Sequence, residues 1–312
     1  MVNTNSHSDL APIAIFAFNR PGSAKRLVRS LESNPEFSES KVFVFIDGSR
    51  SRSEQSLVDS VEEVFQSVCH PRICIVRRDE NYGLKKSLSC GIDVVCQNHD
   101  SVVVLEDDLE LSQDALKYFN LGLNRYREDM RVWSICADVP DVNGFGSGVA
   151  HFLPVGSSWG WATWSNRWEN FSAQANLSRC ARTSRGFRDR FNGHGLRRFD
   201  KMLSMEEQGF ISSWYVHWQL AITKYGGLSL FPPEPMVRNM GFSAGTHSSK
   251  FSLPSLFGVR EKSLSKMNFT LPSQVEIDFE FGQRVIDSRE WRLYRFNSVL
   301  GRIKRRIRRV RR

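Results

Sequence analysis

The 312-residue chain holds six cysteines, Cys69, Cys74, Cys90, Cys96, Cys136 and Cys180, and none of them forms a C-x-x-C pair. That spacing argues against a zinc ribbon or a disulfide framework. With Cys74 flanked by Ile73 and Ile75, the expectation is six reduced, buried thiols. No apolar run approaches the length of a membrane-spanning helix. The segment Met1 to Asp9 lacks a signal-peptide core, so the sequons at Asn170, Asn176 and Asn268 read as chance and the expected compartment is the cytoplasm. Acidic residues are missing from Arg292 to Arg312, where ten residues are basic. Removing those ten charges from the net +9 leaves the rest of the chain at −1. The basicity is therefore a tail, and the body is near neutral.

What is present is ordinary globular composition, 40% hydrophobic and 25% charged, which excludes disordered, collagenous and coiled-coil classes. The first half alternates short apolar runs with helical spacing. Strands are predicted at 13–18, 42–46, 73–76, 102–105 and 131–136, and helices at 25–31, 57–68, 84–95 and 114–126. Continuous apolar strands separated by helices mean a mostly parallel α/β sheet covered on both faces. The predicted organisation is a polar segment (1–10), an α/β half (11–145), a second half (146–270) and a C-terminal region (271–312).

Ligands of such sheets bind beyond the carboxyl ends of the strands. Three polar clusters fall there: Asn19-Arg20, Asp47-Gly48-Ser49 and Glu106-Asp107-Asp108. Three consecutive carboxylates repel one another. Either a hard cation such as Mn²⁺ or Mg²⁺ neutralises them, together with substrate phosphates, or water solvates them in a turn before a helix near Ser112. Asp47 equally suits an Asx turn with Gly48, and Arg20-Pro21 a helix start. Trp and Gly crowd Trp159, Gly160, Trp161 and Trp164, and a second aromatic group is Trp214-Tyr215-Val216-His217-Trp218. Such clusters suit sugar rings or a core. Ser243 to Lys266 reads as a loop.

The ordered series Ile15-Phe16-Ala17-Phe18-Asn19-Arg20, Phe45-Ile46-Asp47-Gly48, Asn81-Tyr82-Gly83-Leu84, Leu105-Glu106-Asp107-Asp108, Trp133-Ser134-Ile135, Phe152-Leu153-Pro154, Gly160-Trp161, Arg238-Asn239-Met240-Gly241-Phe242 and Gly245-Thr246-His247 resembles the GT-A fold, nucleotide-sugar-dependent glycosyltransferases. Among these it is most similar to the N-acetylglucosaminyltransferase I type and its bacterial relatives, over roughly residues 11–248. The resemblance implies a GT-A, Rossmann-like sheet and an inverting, metal-dependent transfer of a hexose or N-acetylhexosamine from a nucleoside diphosphate, with a lean to UDP. It implies that Asp108 ligates the metal and that Glu106 and Asp107 bind sugar and ribose hydroxyls. Asp47 would read uracil, Arg20 would lie near the nucleotide, Gly160 and Trp161 would lie by the donor sugar, and His247 would lie in the donor-covering loop.

One departure concerns the general base that must take the proton of the acceptor hydroxyl. The family's Asp has no counterpart in the Trp214–Trp218 segment, and His217 stands nearest. An ordinary histidine, with a pKa of about 6.5, accepts a proton near neutral pH. A structural His packed between aromatics is the competing reading, and Asp138 and Asp141 are the other candidates. The missing Asp also keeps a non-catalytic glycan- or nucleotide-binding relative open. A sugar-phosphate nucleotidyltransferase is disfavoured because Asn19 to Ser23 supplies one glycine only.

In the tail, Leu293, Phe296, Leu300, Ile303, Ile307 and Val310 recur at spacings of 3 and 4, with Lys and Arg between them. A basic amphipathic helix of this kind reads as a membrane-surface element. Nucleic acid is not expected, because it would account for the charge but not for the apolar stripe. The expectation is therefore a peripheral enzyme on the inner face of a bacterial membrane, acting on a glycan or lipid-linked acceptor.

Overall fold

The computed structural model describes residues 10–139, 142, 148–171, 177–241, 264 and 266–288. The strands are β1 (Ile13–Ala17), β2 (Val42–Ile46), β3 (Ile73–Arg77), β4 (Ser101–Glu106), β5 (Leu109–Leu111), β6 (Val132–Cys136), β7 (His151–Leu153), β8 (Trp161–Trp164), β9 (Leu228–Phe231) and β10 (Val237–Asn239). The helices are α1 (Pro21–Glu32), α2 (Arg52–Gln66), α3 (Gly83–Cys96), α4 (Ala115–Arg125), α5 (Ser165–Trp168), α6 (Leu177–Thr183), α7 (Arg185–Phe191), α8 (Phe199–Glu207), α9 (Tyr215–Lys224) and α10 (Phe279–Asp287).

Eight strands form one sheet in the order β3-β2-β1-β4-β8-β6-β9-β7. The pairs β2–β3, β1–β2, β1–β4 and β6–β9 are parallel, whereas β4–β8, β6–β8 and β7–β9 are antiparallel. Six strands therefore point one way, and only β7 and β8 oppose them. This is the expected mostly parallel α/β sheet, and it draws strands from both predicted halves of the chain. A second small sheet pairs β5 with β10.

Burial follows from the sequence patterns. β1 and β4 are central and buried on both faces, hence their unbroken apolar runs. One face carries α1, α2 and α4, whose Leu27, Leu31, Val58, Val61, Phe65 and Leu116 join the largest core. The other face carries α3 and α9, where Leu88, Ile92, Ala221 and Ile222 meet five tryptophans, Trp133, Trp161, Trp168, Trp214 and Trp218. Trp161 stacks on Trp214 at 5.2 Å and 18°. Trp218 donates to Ser134 Oγ at 3.0 Å, and Trp168 to Asp93 Oδ1 at 2.7 Å. The tryptophan-rich stretch is thus core in the main.

The cysteine expectation needs correction. All six thiols are free, but only Cys136 is buried; Cys69, Cys74 and Cys180 are exposed. Cys74 lies on β3, an edge strand of the sheet, so its apolar neighbours did not predict cover. The segment 242–263, the tail from 289 onward, Asp141 and His247 lie outside the described residues.

Candidate active site

The strand register fixes the geometry. Ala17 of β1 pairs with Ile46 of β2, and Phe16 pairs with Glu106 of β4. The three polar clusters that follow these strands therefore share one rim. Asp107 anchors its turn to β1 twice: its N–H donates to Phe16 O at 3.0 Å, and its Oδ2 accepts from Phe18 N–H at 3.2 Å.

Arg20 joins two of the clusters. Pro21 starts α1, and the Arg20 carbonyl accepts from Ser23 and Ala24 N–H, so the backbone does serve as a helix start. The side chain is left to reach across the rim. Its Nη1 lies 2.9 Å from Asp108 Oδ2 and 3.8 Å from Asp107 Oδ1. Burial works against this cation, but Asp107, Asp108 and Glu106 outweigh it and hold the guanidinium above its ordinary value.

A strand, β5, follows the acidic triplet where the alternative reading put a solvated turn, and the helix expected near Ser112, α4, begins at Ala115. Because β5 pairs with β10, the segment after β10 folds back over Asp108. Asn239 Nδ2 lies 3.4 Å from Asp108 Oδ1, Met240 N–H donates to Asp108 O at 2.8 Å, and Gly241 N–H donates to Asn239 Oδ1 at 2.7 Å. A Cβ at Gly241 would lie 2.2 Å from Asp108 Oδ2. Only glycine allows that close approach.

The cluster holds more negative charge than its surroundings neutralise. Burial, and then the charges of Asp108 and Asp107, push the Glu106 carboxyl up to about 8 despite Arg20. Burial is also the main cause that raises Asp107 to about 6; Asp108 adds to it, and Arg20 and the Phe18 amide oppose it. Hard oxygen ligands short of positive charge fit Mn²⁺ or Mg²⁺, which bind through one or two carboxylates and complete their shell with phosphates and water. Among the described residues, no three His, Cys, Asp or Glu side chains form a metal cage. The chemistry of these groups fits a cation shared with a ligand.

Asp47 does something neither reading of it foresaw. Its Oδ1 accepts from Tyr82 N–H at 2.8 Å and its Oδ2 from Gly83 N–H at 2.9 Å, at the N-terminus of α3. A carboxylate is well placed at that positive helix end. Asp47 is 5% exposed, so its demonstrated contacts are those that fix the β3–α3 turn against the rim.

Trp161 also departs from expectation. It is 1% exposed and lies within the tryptophan core, so its ring offers no face to a donor sugar. Gly160 lies where β8 begins, and a Cβ there would lie 3.0 Å from Val237 Cγ1 and 3.7 Å from Leu105 Cδ2. That puts its backbone beside the ends of β4 and β10.

The three base candidates separate. Asp138 follows β6 and accepts from Ser157 Oγ at 3.1 Å. Asp141 lies outside the described residues. His217 is the third residue of α9, which leads through a tight turn into β9. β9 is parallel to β6, and so also to β4, and α9 runs back against it; the first turn of α9 therefore lies at the ligand rim. α3 precedes β4 in the same way, which puts Lys85, also a third residue, on that side.

Here His217 meets a carboxylate that the sequence reading missed. Its Nε2 lies 3.1 Å from Glu206 Oε2 and 3.2 Å from Lys85 Nζ, and Lys85 pairs with the other oxygen of Glu206. Burial pushes the Glu206 carboxyl up, but Lys85 and His217 outweigh it and hold it below its ordinary value. Glu206 belongs to a short helix eleven residues before His217. No local spacing signals that contact, because it depends on how α8 packs against α9 and α3.

Comparison with known proteins bears on this geometry. The model of glycosyl transferase family 2 matches residues 13–190, more than half of the chain. A search of curated proteins gave no match. A similar solved structure is the mannosyltransferase PcManGT from Pyrobaculum calidifontis in complex with GDP-Man and Mn2+, at 13% identity, covering 70% of this chain and 76% of that one with a TM-score of 0.36. The matched span contains β1, β2 and β4 and the acidic rim they build, on the α/β sheet described above, and the chain belongs to glycosyl transferase family 2, as a nucleotide-sugar glycosyltransferase of the GT-A fold.

Proposed function

We propose that the chain transfers a hexose or N-acetylhexosamine from a nucleoside diphosphate, with UDP favoured, to a glycan hydroxyl, inverting the anomeric carbon. The observation that carries this reading is Asp108, held between Arg20 and the Asn239–Gly241 segment at a rim short of positive charge. Arg20 supplies a cation for the phosphates. Glu106 and Asp107 supply acceptors for sugar and ribose hydroxyls. Asp47 keeps the neighbouring turn in place. Asp108 would hold Mn²⁺ or Mg²⁺, which when bound supplies positive charge to the departing diphosphate.

The tail beyond Arg292 supports a finer part of the proposal. Each Lys or Arg near an anionic leaflet contributes about 1 kcal/mol, so a basic amphipathic segment favours an acceptor borne on the cytoplasmic face of a membrane. Among the described residues, no helix is long and apolar enough to span one.

The test is a donor panel. UDP-glucose, UDP-N-acetylglucosamine and GDP-mannose are incubated with the full chain and Mn²⁺, and nucleotide release is followed with the anomeric configuration of the product. Release of one nucleotide with inversion is expected. Retention of configuration would overturn the inverting mechanism. Tight donor binding without any release would favour a non-catalytic relative instead.

A further inference from the structure

The proposed transfer leaves one proton without a destination, that of the acceptor hydroxyl. Two helices bring polar groups to the rim at the strand carboxyl ends by their first turns: Lys85 from α3 and His217 from α9. Glu206 from α8 stands between them. These three come from positions 85, 206 and 217, and their side chains are partly buried, 38%, 14% and 22% exposed respectively. Among the described residues, Lys85 and Glu206 are the charged groups in hydrogen-bond or ion-pair contact with His217.

Building on the proposed function, we infer that His217 is the general base of the transfer and that Glu206, itself tied to Lys85, is its positioning residue. A neutral imidazole carries one proton and one lone pair. If Nε2–H donates to Glu206 Oε2, the lone pair is on Nδ1. The carboxylate then fixes the ring, selects that tautomer and stabilises the imidazolium that forms, which is the logic of a carboxylate–histidine pair in acyl transfer. Lys85 keeps Glu206 ionised. The balance is complete: the acceptor O–H proton passes to His217 Nδ1 and the acceptor oxygen bonds the anomeric carbon. The bond from that carbon to the diphosphate oxygen breaks, and its electron pair leaves with the diphosphate.

The competing arrangement has Lys85 donating to a bare Nε2, which puts the histidine proton on Nδ1 and abolishes base function. Long-range ¹H–¹⁵N spectra of the full chain distinguish the two without any substrate. The Nε2–H tautomer of His217 is expected, with the Nδ1–H form appearing in Glu206→Gln. An Nδ1–H tautomer in the unmodified protein overturns the inference.

The kinetic arm uses whichever donor of the panel releases nucleotide, with water or glycan as acceptor. His217→Gln should lower kcat/KM by roughly 10²-fold or more and remove the acid limb of its pH profile. Glu206→Gln should also lower kcat/KM, in step with the loss of the Nε2–H tautomer, and Glu206→Asp should restore part of the rate. Donor-induced thermal stabilisation with Mn²⁺ should be the same in all variants. Full turnover in His217→Gln, with donor binding intact, contradicts the inference alone. Loss of donor binding in the unmodified protein contradicts the donor-site reading instead.

Discussion

Asp108→Ala is expected to abolish nucleotide release and sugar transfer while the protein stays folded. The carboxylate is in contact with both Arg20 and the Asn239 side chain. Removing one preorganised electrostatic group from a transfer site costs on the order of 10²–10³ in rate, and losing the cation's attachment adds to that. Stability should not fall with it. Three consecutive carboxyls end β4 here, and beside burial their mutual repulsion contributes to pushing Glu106 to about 8 and Asp107 to about 6. Deleting one charge relieves that repulsion, so the melting midpoint should hold or rise slightly. Gly241→Ala is the complementary variant. Its methyl would meet Asp108 Oδ2 at 2.2 Å, so the carboxylate must swing away from Arg20. It should lose most of the donor turnover with every charged group still present. Both are read by nucleotide release beside a melting curve. Wild-type turnover in Asp108→Ala would remove the acidic rim from the reaction.

Arg167→Met should produce a large loss of stability from a single position outside the rim. Arg167 is 0% exposed. Its Nη2 donates to Arg127 O at 2.8 Å and Asp129 O at 3.1 Å, its Nε to Val132 O at 3.3 Å, and its Nη1 to Asn166 Oδ1 at 2.7 Å. The guanidinium also lies 4.4 Å over the Trp164 ring. Burial holds this cation below its ordinary value against the pull of Glu128 and Asp129, so the site strains the charge and still needs the donors. Methionine fills the space of the stem but donates nothing to the Arg127 and Val132 carbonyls or to Asn166 Oδ1, while Asp129 O keeps the Val132 N–H at 2.9 Å. Each buried acceptor left unpaired costs about 1–3 kcal/mol, so a total of about 3–5 kcal/mol is expected, a large share of a typical 5–15 kcal/mol. Urea denaturation measures it. A loss below about 1 kcal/mol would mean that water replaces the guanidinium without penalty. The loop clamped here feeds β6, the strand that ends beside Asp138, so turnover should fall with stability.

The sequence was legible where one segment makes one element. The runs at 13–18, 42–46, 73–76 and 102–105 became β1 to β4, and the rule that ligands gather at strand ends put Arg20, Asp47 and Asp108 on one rim. It was less legible where pairing is distant or short. Leu109-Glu110-Leu111 is a strand only because Val237-Arg238-Asn239 lies beside it. β8 was hidden in an aromatic stretch that suited a binding face as well as a core. Asp47 suited an Asx turn or a uracil contact, and its use at the start of α3 depends on a turn 35 residues away. Glu206 had no local signature at all. The family match reaches glycosyl transferase family 2, and the finer likeness to the N-acetylglucosaminyltransferase I type remains a resemblance of motifs.

The central claim is that the rim grips a nucleoside diphosphate with a divalent cation. The most direct measurement is the thermal midpoint of the full chain with UDP, GDP and their sugar conjugates, each with and without Mn²⁺. A nucleotide at 100 times its dissociation constant should add about 2.7 kcal/mol, with Mn²⁺ required and the effect absent in Asp108→Ala. A midpoint that no nucleotide moves in the presence of Mn²⁺ would contradict the account.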